Sequence, residues 1–309
     1  MKKKLTVLIA TYNGELFIKE QLDSILNQSF KDYKIVCRDD ISIDNTFSIL
    51  KDYQNNYPNI IEVYQNKKRL GVVSNFEKLI ENSDTDYIAL CDQDDIWHKD
   101  KLLISVNELN IKNNKTPLLF HSDLIMVDIN LQPLNNSFFK KRGYAFPKKK
   151  SIDICLGRSG IMGNTMVFNK RLKDYILPFP KTLIVHDYWI ALVNEAIGKR
   201  ITYNIALINY RLHNKNTSLN LRKYSKKKFF NRDIILPYQS ISREILLEEF
   251  LNRFTLDNRD VIITKRFIEY LYFKKSKFNI ILYIFKYRFF RKGFFYKLKL
   301  IGAILWKKK

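Results

Sequence analysis

Cysteine is scarce in this sequence. Cys37, Cys91 and Cys155 are too few and too scattered for a disulfide framework or a zinc site. Buried, reduced thiols in a reducing compartment are the expected state. No run of 18 or more uncharged apolar residues occurs, which removes a bilayer-spanning helix from the reading. Met1-Lys2-Lys3-Lys4 leads into apolar residues 5–10 only, and this run stops at Thr11-Tyr12-Asn13-Gly14. That is too short for a secretory signal and reads as a first buried strand. No G-x-G-x-x-G follows it, and no G-x-x-x-x-G-K-[ST] occurs anywhere, so dinucleotide-dehydrogenase and P-loop readings lose their support. There is no internal repeat. Acidic residues stop at Glu269, whereas twelve Lys and Arg lie between Lys274 and Lys309. About half of the net charge of +23 therefore belongs to a tail, and charge of this sign favours a polyanionic partner.

What is present is a strand–helix alternation. With 309 residues and 46% apolar composition, the chain can build one large domain and an appendage. Short apolar runs at 5–10, 33–37, 60–64, 87–91 and 118–121 have strand character. Helical spacing of apolar residues fills the intervals at 15–28, 43–53, 72–80 and 101–109. This order predicts an α/β fold with a mainly parallel sheet and helices on both faces. Ligands in such sheets bind outside the carboxyl ends of the strands. Those ends deliver Thr11-Tyr12-Asn13, Asp39-Asp40 and Asp92-Gln93-Asp94-Asp95, three polar clusters that should converge on one edge. From 126 to 220 the alternation weakens, leaving expected strands at 161–168 and 201–208 and a helix at 188–196. Beyond Leu221 the composition turns aromatic and basic, with Lys226-Lys227-Lys228-Phe229-Phe230 at the change, so a boundary is placed near 220. Residues 1–220 then form the α/β domain that carries the strand-end clusters, and 221–309 a basic helical region.

Asp92-Gln93-Asp94 is a D-x-D tripeptide after an apolar strand. Two carboxylates so spaced can hold one hard cation through oxygen ligands while phosphate oxygens take its remaining positions. Sugar transfer from a nucleotide diphosphate calls for such an ion, because negative charge grows on the diphosphate as it leaves. The tripeptide alone is weak, since acidic loops produce it by chance. Its place after the fourth strand, followed by Asp95-Ile96-Trp97, strengthens it.

The chain resembles the family-2 glycosyltransferases of the GT-A fold, and among them the bacterial rhamnosyltransferase group of cell-surface polysaccharide synthesis. Ordered blocks between residues 5 and 218 carry the resemblance: Val7 through Gly14, Gln21 through Gln28, Asp39-Asp40 with Ser42 and Asp44-Asn45-Thr46, and Gly71-Val72 with Asn75-Phe76-Glu77. They continue with Asp92 through Trp97, His121-Ser122-Asp123, Leu177 through Pro180, His186 through Trp189, and Tyr210-Arg211, His213 and Asn216-Thr217-Ser218. The resemblance implies that Thr11, Tyr12 and Asn13 line the nucleotide pocket and that Asp39 accepts a hydrogen bond from a pyrimidine imide. It implies that Gly71 and Asn75 lie near base and ribose, and Asp92 by the ribose or metal. Asp94 would bind a Mg2+ or Mn2+ ion with Asp95 in support, Asp187 would be the catalytic base, and His213 would reach the metal or diphosphate. One departure stands out. The family usually has glycine after the aspartate pair, and Ile41 stands here. A β-branched residue resists positive φ, so this turn must differ or tolerate strain.

Asp187 also has a case of its own. An inverting transferase needs one carboxylate to take the acceptor proton, and aromatic neighbours raise a carboxylate pKa toward a useful range. The structural alternative is a helix cap. For His213 the alternative is an exposed, inert loop histidine. His98 and His121 read as structural, and Trp97 and Trp189 as packing residues, with a sugar platform open for Trp189.

Residues 267–309 interleave Phe, Tyr, Ile and Leu with Lys and Arg. Helices here would carry an aromatic face and a lysine-rich one, suited to an anionic membrane surface. A nucleic-acid partner has no recognised module to support it and is not expected; a helical lid on the catalytic domain is the other alternative. The expected partners are thus a nucleotide-sugar donor, a lipid-linked saccharide acceptor and the inner face of the cell membrane, reached from the cytoplasm.

Overall fold

The computed structural model describes residues 2–112, 115–148, 150–157, 159–214, 216, 241–272, 274–287, 289, 301–302 and 304–305. The alternation expected over the first 110 residues is there as β1 (Leu5–Thr11), α1 (Ile18–Leu26), β2 (Tyr33–Asp39), α2 (Thr46–Asn56), β3 (Ile61–Gln65), α3 (Val72–Glu81), β4 (Tyr87–Cys91) and α4 (Lys101–Asn110). β1 pairs in parallel with β2 and β4, and β2 with β3. Every residue of β4 is buried, as a strand covered on both faces requires. Helix α1 turns Ile18, Leu22 and Ile25 inward and leaves Lys19, Glu20 and Asp23 exposed.

The remaining strands are β5 (Ile96–Trp97), β6 (Leu118–Val127), β7 (Val167–Asn169) and β8 (Lys199–Arg211), and the sheet order is β3-β2-β1-β4-β7-β6-β8-β5. β7 runs antiparallel to both β4 and β6, and β5 antiparallel to β8, so six of eight strands share one direction. Helices α5 (Phe138–Arg142), α6 (Asp153–Leu156), α7 (Lys170–Ile176) and α8 (His186–Ile197) complete this part. The strand expected over 161–168 is mostly something else. A 3-10 turn at Gly163–Thr165 precedes the three residues of β7. β6 is longer than expected, and its register against β8 shifts twice around Asp123, a β-bulge or similar irregularity in the ladder. All three cysteines are free and buried.

The C-terminal region is helical: α9 (Ile241–Arg253), α10 (Asn258–Tyr272) and α11 (Lys277–Lys286). The boundary at 220, the Lys226–Phe230 run and the aromatics Phe290 and Phe294 to Tyr296 lie outside the described residues. Leu247 and Phe250 of α9, Phe267 and Leu271 of α10, and Ile280 and Ile284 of α11 share one core with α6 and α8. The Phe250 ring meets Trp189 edge-on at 6.0 Å, and Arg253 donates to the carbonyls of Tyr175, Leu177 and Pro178. Fully burying one such side chain contributes about 2 kcal/mol, so these helices are fastened to the α/β part of the chain. The aromatic face expected to meet a membrane through Phe267, Leu271 and Ile280 is turned inward instead. An amphipathic sequence looks the same whether its apolar side meets lipid or protein.

Candidate active site

β1 lies between β2 and β4, with Asp39 opposite Thr11 and Cys91 opposite Ile9, so the loops after these parallel strands leave the sheet at one edge. Gln93 ties the first to the third: its Oε1 accepts from the Tyr12 backbone N–H at 2.9 Å, and its Nε2 donates to the Tyr12 carbonyl at 3.1 Å. The Arg69 guanidinium lies 3.9 Å from the Tyr12 ring centre. Asn13, at φ 50, receives a loop N–H from Ile43 on Oδ1 and donates its own N–H to Ser42.

Asp39 is fully buried. Its carboxylate accepts from Thr11 Oγ1 (3.1 Å), Ser42 Oγ (2.5 Å), Ser42 N (2.9 Å) and Gln65 Nε2 (3.1 Å). With two bonds per oxygen its lone pairs are filled, so a base N–H reaching Asp39 has to displace one of these donors. Asp40 shapes the next loop, accepting from Asn66 Nδ2, Leu70 N and Gly71 N at 2.7 to 2.8 Å. Gly71 has φ 81, a conformation that suits glycine. Asn75 is 1% exposed, bonded to the Arg38 carbonyl and to Asn66, and so stands behind the pocket wall. Ile41 adopts φ 61. The turn has kept the left-handed shape that glycine gives easily, and carries the strain.

The carboxylates of Asp92, Asp94 and Asp95 offer oxygens within 4.8 Å of one another. Asp95 is fully buried and anchors the loop, accepting from Asn164 Nδ2 (2.5 Å) and Arg211 N (3.2 Å). Arg211, the last residue of β8, also donates to the Asp94 carbonyl and pairs with Glu20. Two residues on, His213 Nε2 stands 2.8 Å from Asp94 Oδ2, its ring against Phe17, and Asn216 Nδ2 adds a 3.4 Å contact to the same oxygen. Asp92 has no side-chain hydrogen bond among the described residues. Burial raises its pKa, and the nearby charges of Asp94 and Asp187 raise it further.

This donor set fits a hard divalent cation. Oxygen ligands are what Mg2+ and Mn2+ take, and a cation relieves the repulsion that now raises Asp92. The 2.8 Å between Asp94 Oδ2 and His213 Nε2 is close to the roughly 3 Å between adjacent octahedral ligands at ~2.1 Å bonds. Asp95, with both oxygens bonded, supports the set without joining it.

Asp187 lies in the first turn of α8, beyond the N-cap residue Val185, which makes no side-chain cap bond. Its Oδ2 accepts from Gly163 N at 3.3 Å. Burial pushes its pKa up to about 6, and the backbone N–H groups of Gly163 and Tyr188 oppose a larger rise. Beside it the His186 ring stacks on Phe76 at 4.2 Å. A Cβ at Gly163 would lie 3.0 Å from His186 Nε2 and 3.5 Å from the Asp187 Cβ, so the turn facing Asp187 is tight and a side chain there would require the His186 ring to shift.

Thr11, Tyr12, Asn13, Asp92, Asp94, Asp187 and His213 thus gather at one edge, with Asp39 and Gly71 on its margin. His121 is buried on Thr202, and Trp189 is buried with its Nε1 on the Ile176 carbonyl, so both serve packing. Thr217 and Ser218 lie outside the described residues. Sequence reasoning missed Gln93, although it stands inside the D-x-D tripeptide. It also missed Arg69, which ends the run Lys67-Lys68-Arg69 before Gly71, and the anchoring role of Arg211.

The chain is similar to known proteins in both sequence and fold. The model of glycosyl transferase family 2 matches residues 6–160. The dTDP-rhamnosyl transferase RfbG of Shigella flexneri is 43% identical over 109 residues, 34% of this chain and 38% of that protein. The putative teichuronic acid biosynthesis glycosyltransferase TuaG of Bacillus subtilis is 26% identical over 231 residues, covering 74% of this chain and 87% of that one. Among curated relatives matched, several are spanned over only 34% to 55% of their length. In three dimensions, residues 1–349 of S. aureus TarS in complex with UDP-GlcNAc superpose with a TM-score of 0.60 at 18% identity, covering 97% of this chain and 79% of that one. The fold is that of the GT-A glycosyltransferases.

Proposed function

The chain belongs to glycosyl transferase family 2, and from that premise we propose that it transfers a sugar, with inversion, from a nucleotide diphosphate donor to an acceptor hydroxyl in polysaccharide synthesis. The observation that carries this reading is the opposition of a carboxylate pair and a third carboxylate across one edge: Asp92 and Asp94 after β4, and Asp187 on the first turn of α8.

Asp92, Asp94 and His213 would hold a divalent cation, Mg2+ or Mn2+, which would supply counter-charge to the departing diphosphate. Thr11, Tyr12, Asn13 and Gly71 bound the nucleotide, with Asp39 and Asn75 fixing the walls. Asp187 takes the proton of the acceptor hydroxyl as its oxygen attacks the anomeric carbon. The bond from that carbon to the diphosphate oxygen breaks on the opposite side, and its electron pair leaves with the nucleotide. A carboxylate whose pKa stands at about 6 is a stronger base than an exposed aspartate and still ionised at neutral pH.

The donor we propose is dTDP-rhamnose, on the 43% identity to a dTDP-rhamnosyl transferase. The acceptor is a lipid-linked saccharide at the inner face of the cell membrane. A panel of dTDP- and UDP-sugars, assayed for transfer or hydrolysis with and without Mn2+, tests both parts. Turnover of a UDP-hexose in preference to dTDP-rhamnose replaces the donor, and full turnover in excess chelator removes the cation.

A further inference from the structure

Three stripes run along α11. Ile280 and Ile284 are buried in the core. Asn279, Tyr283 and Lys286 face a cleft of about 330 Å3 between α10 and α11, whose rim also carries Arg266, Lys275 and Tyr287. Phe278, Leu282 and Phe285 form the third stripe and are 70%, 45% and 48% exposed. Each of them precedes a cleft residue by one position, about 100° around the helix. The outward apolar stripe therefore lies directly beside the cationic cleft. Lys277 Nζ donates to the Leu305 carbonyl at 2.9 Å, which brings a fourth exposed apolar residue to that end of the helix.

The charge of the cleft is lopsided. Glu269 pairs with Arg266 at 2.8 Å and accepts from the Tyr283 hydroxyl at 2.9 Å, and it is the last acid in the sequence. Lys275 and Lys286 are exposed and make no ion pair among the described residues. An exposed Phe, Leu, Phe stripe at i, i+4 and i+7 is contiguous apolar surface of the kind that marks an interaction site. A nucleic-acid backbone offers phosphates but no apolar layer next to them; an anionic bilayer offers both within one interface.

We propose that this face of α10 and α11 docks the protein on an anionic lipid bilayer. Lys275, Lys286 and Arg266 meet lipid phosphates, and Phe278, Leu282 and Phe285 enter the layer beneath the headgroups. The inward face of the same helices holds the catalytic domain, so attachment and fold use opposite sides of α11. This surface stands independently of the sugar-transfer reading.

Co-sedimentation of the full chain with phosphatidylglycerol-containing vesicles, and with phosphatidylcholine vesicles, tests it. The wild type is expected to partition at least tenfold more strongly onto the anionic vesicles. Lys275→Gln and Lys286→Gln should each weaken that binding up to about fivefold. The triple variant Phe278→Ser, Leu282→Ser, Phe285→Ser should weaken it at least tenfold and leave a remainder that high salt abolishes. Unchanged melting temperatures show that the variants fold. Wild-type binding by the lysine and the apolar variants overturns the proposal, as does binding to duplex DNA without binding to vesicles. Binding of inorganic diphosphate that blocks vesicle binding and ignores the apolar substitutions also overturns it, in favour of a soluble-anion site.

Discussion

His213 Nε2 and Asp94 Oδ2 stand 2.8 Å apart across 119 residues of chain, closing the site between the end of β4 and the loop after β8. The contact orients the carboxylate, and under the proposed function both atoms become ligands. Loss of a partner that only orients a metal ligand already costs about 10- to 100-fold in metal affinity, and loss of a ligand should cost at least as much. His213→Ala should therefore raise the Mn2+ concentration needed for half-maximal turnover by at least that factor, and excess Mn2+ should restore much of the rate. Asp94→Asn loses a charge as well as a ligand, and no Mn2+ concentration should rescue it. A chelator titration of both variants separates the two cases; an unchanged Mn2+ requirement in His213→Ala removes His213 from the metal set.

Asp187 predicts a pH profile. Only its ionised form accepts a proton, and burial places its pKa at about 6. The kcat/KM should rise tenfold per pH unit below that value and level off above it. Asp187→Asn should keep donor affinity, lower turnover by several orders of magnitude and lose this limb. Stability should move the other way. An unfolded aspartate titrates near 3.8 and the folded one near 6, so between these values the folded protein binds more protons and its stability falls as pH rises. The amide does not ionise, so Asp187→Asn should melt at a higher temperature than the wild type at neutral pH. A lower melting temperature with lost donor binding makes Asp187 structural.

The outcome of these residues shows what a sequence transmits. Alternation of apolar strands and amphipathic helices is set by burial, and the elements up to α4 follow from it. β5 is two residues long and β7 three, too short for any period, and only pairing with β8 and β4 makes them strands. The D-x-D loop stood out because chemistry restricts residue type, whereas Asp187 was singled out over a helix cap only through the family resemblance. Gln93, Arg69 and Arg211 were not, since their roles consist of hydrogen bonds or stacking to partners 57 to 117 residues away, a separation that spacing does not encode. The inward turn of Phe267 and Ile280 was illegible for the reason given above: burial against protein and against lipid selects the same side chains.

Gln93 fixes Tyr12 through two bonds, one accepted and one donated. Glutamate keeps the acceptor, loses the donor and adds a negative charge near the expected diphosphate. Gln93→Glu should raise the donor KM several-fold, and Gln93→Ala by less, with kcat changed little in the alanine variant because Asp187 is untouched. Equal donor KM in all three forms detaches this clamp from nucleotide binding. Arg69→Ala, which frees the Tyr12 ring face, is the companion measurement for the base side of the pocket.

Ile41 supplies the last prediction. At φ 61 it occupies the left-handed region that L-residues, and β-branched ones above all, resist by about 1–2 kcal/mol. Glycine adopts that conformation freely, although its more flexible unfolded state returns roughly 0.4–1 kcal/mol. The side chain is 36% exposed, so its removal forfeits part of a hydrophobic contact. Relief of strain exceeds the entropy cost by up to about 1 kcal/mol, and lost burial reduces the margin. Ile41→Gly should therefore be as stable as the wild type or slightly more so, where most Ile→Gly substitutions cost several kcal/mol. Ile41→Val keeps the β-branch and should gain nothing. Urea unfolding of the three proteins decides it. The same loop carries Asp39, Asp40 and Ser42, so a clearly destabilised Ile41→Gly means that the isoleucine is holding the nucleotide-side turn through its contacts, and that the strained backbone is the smaller cost.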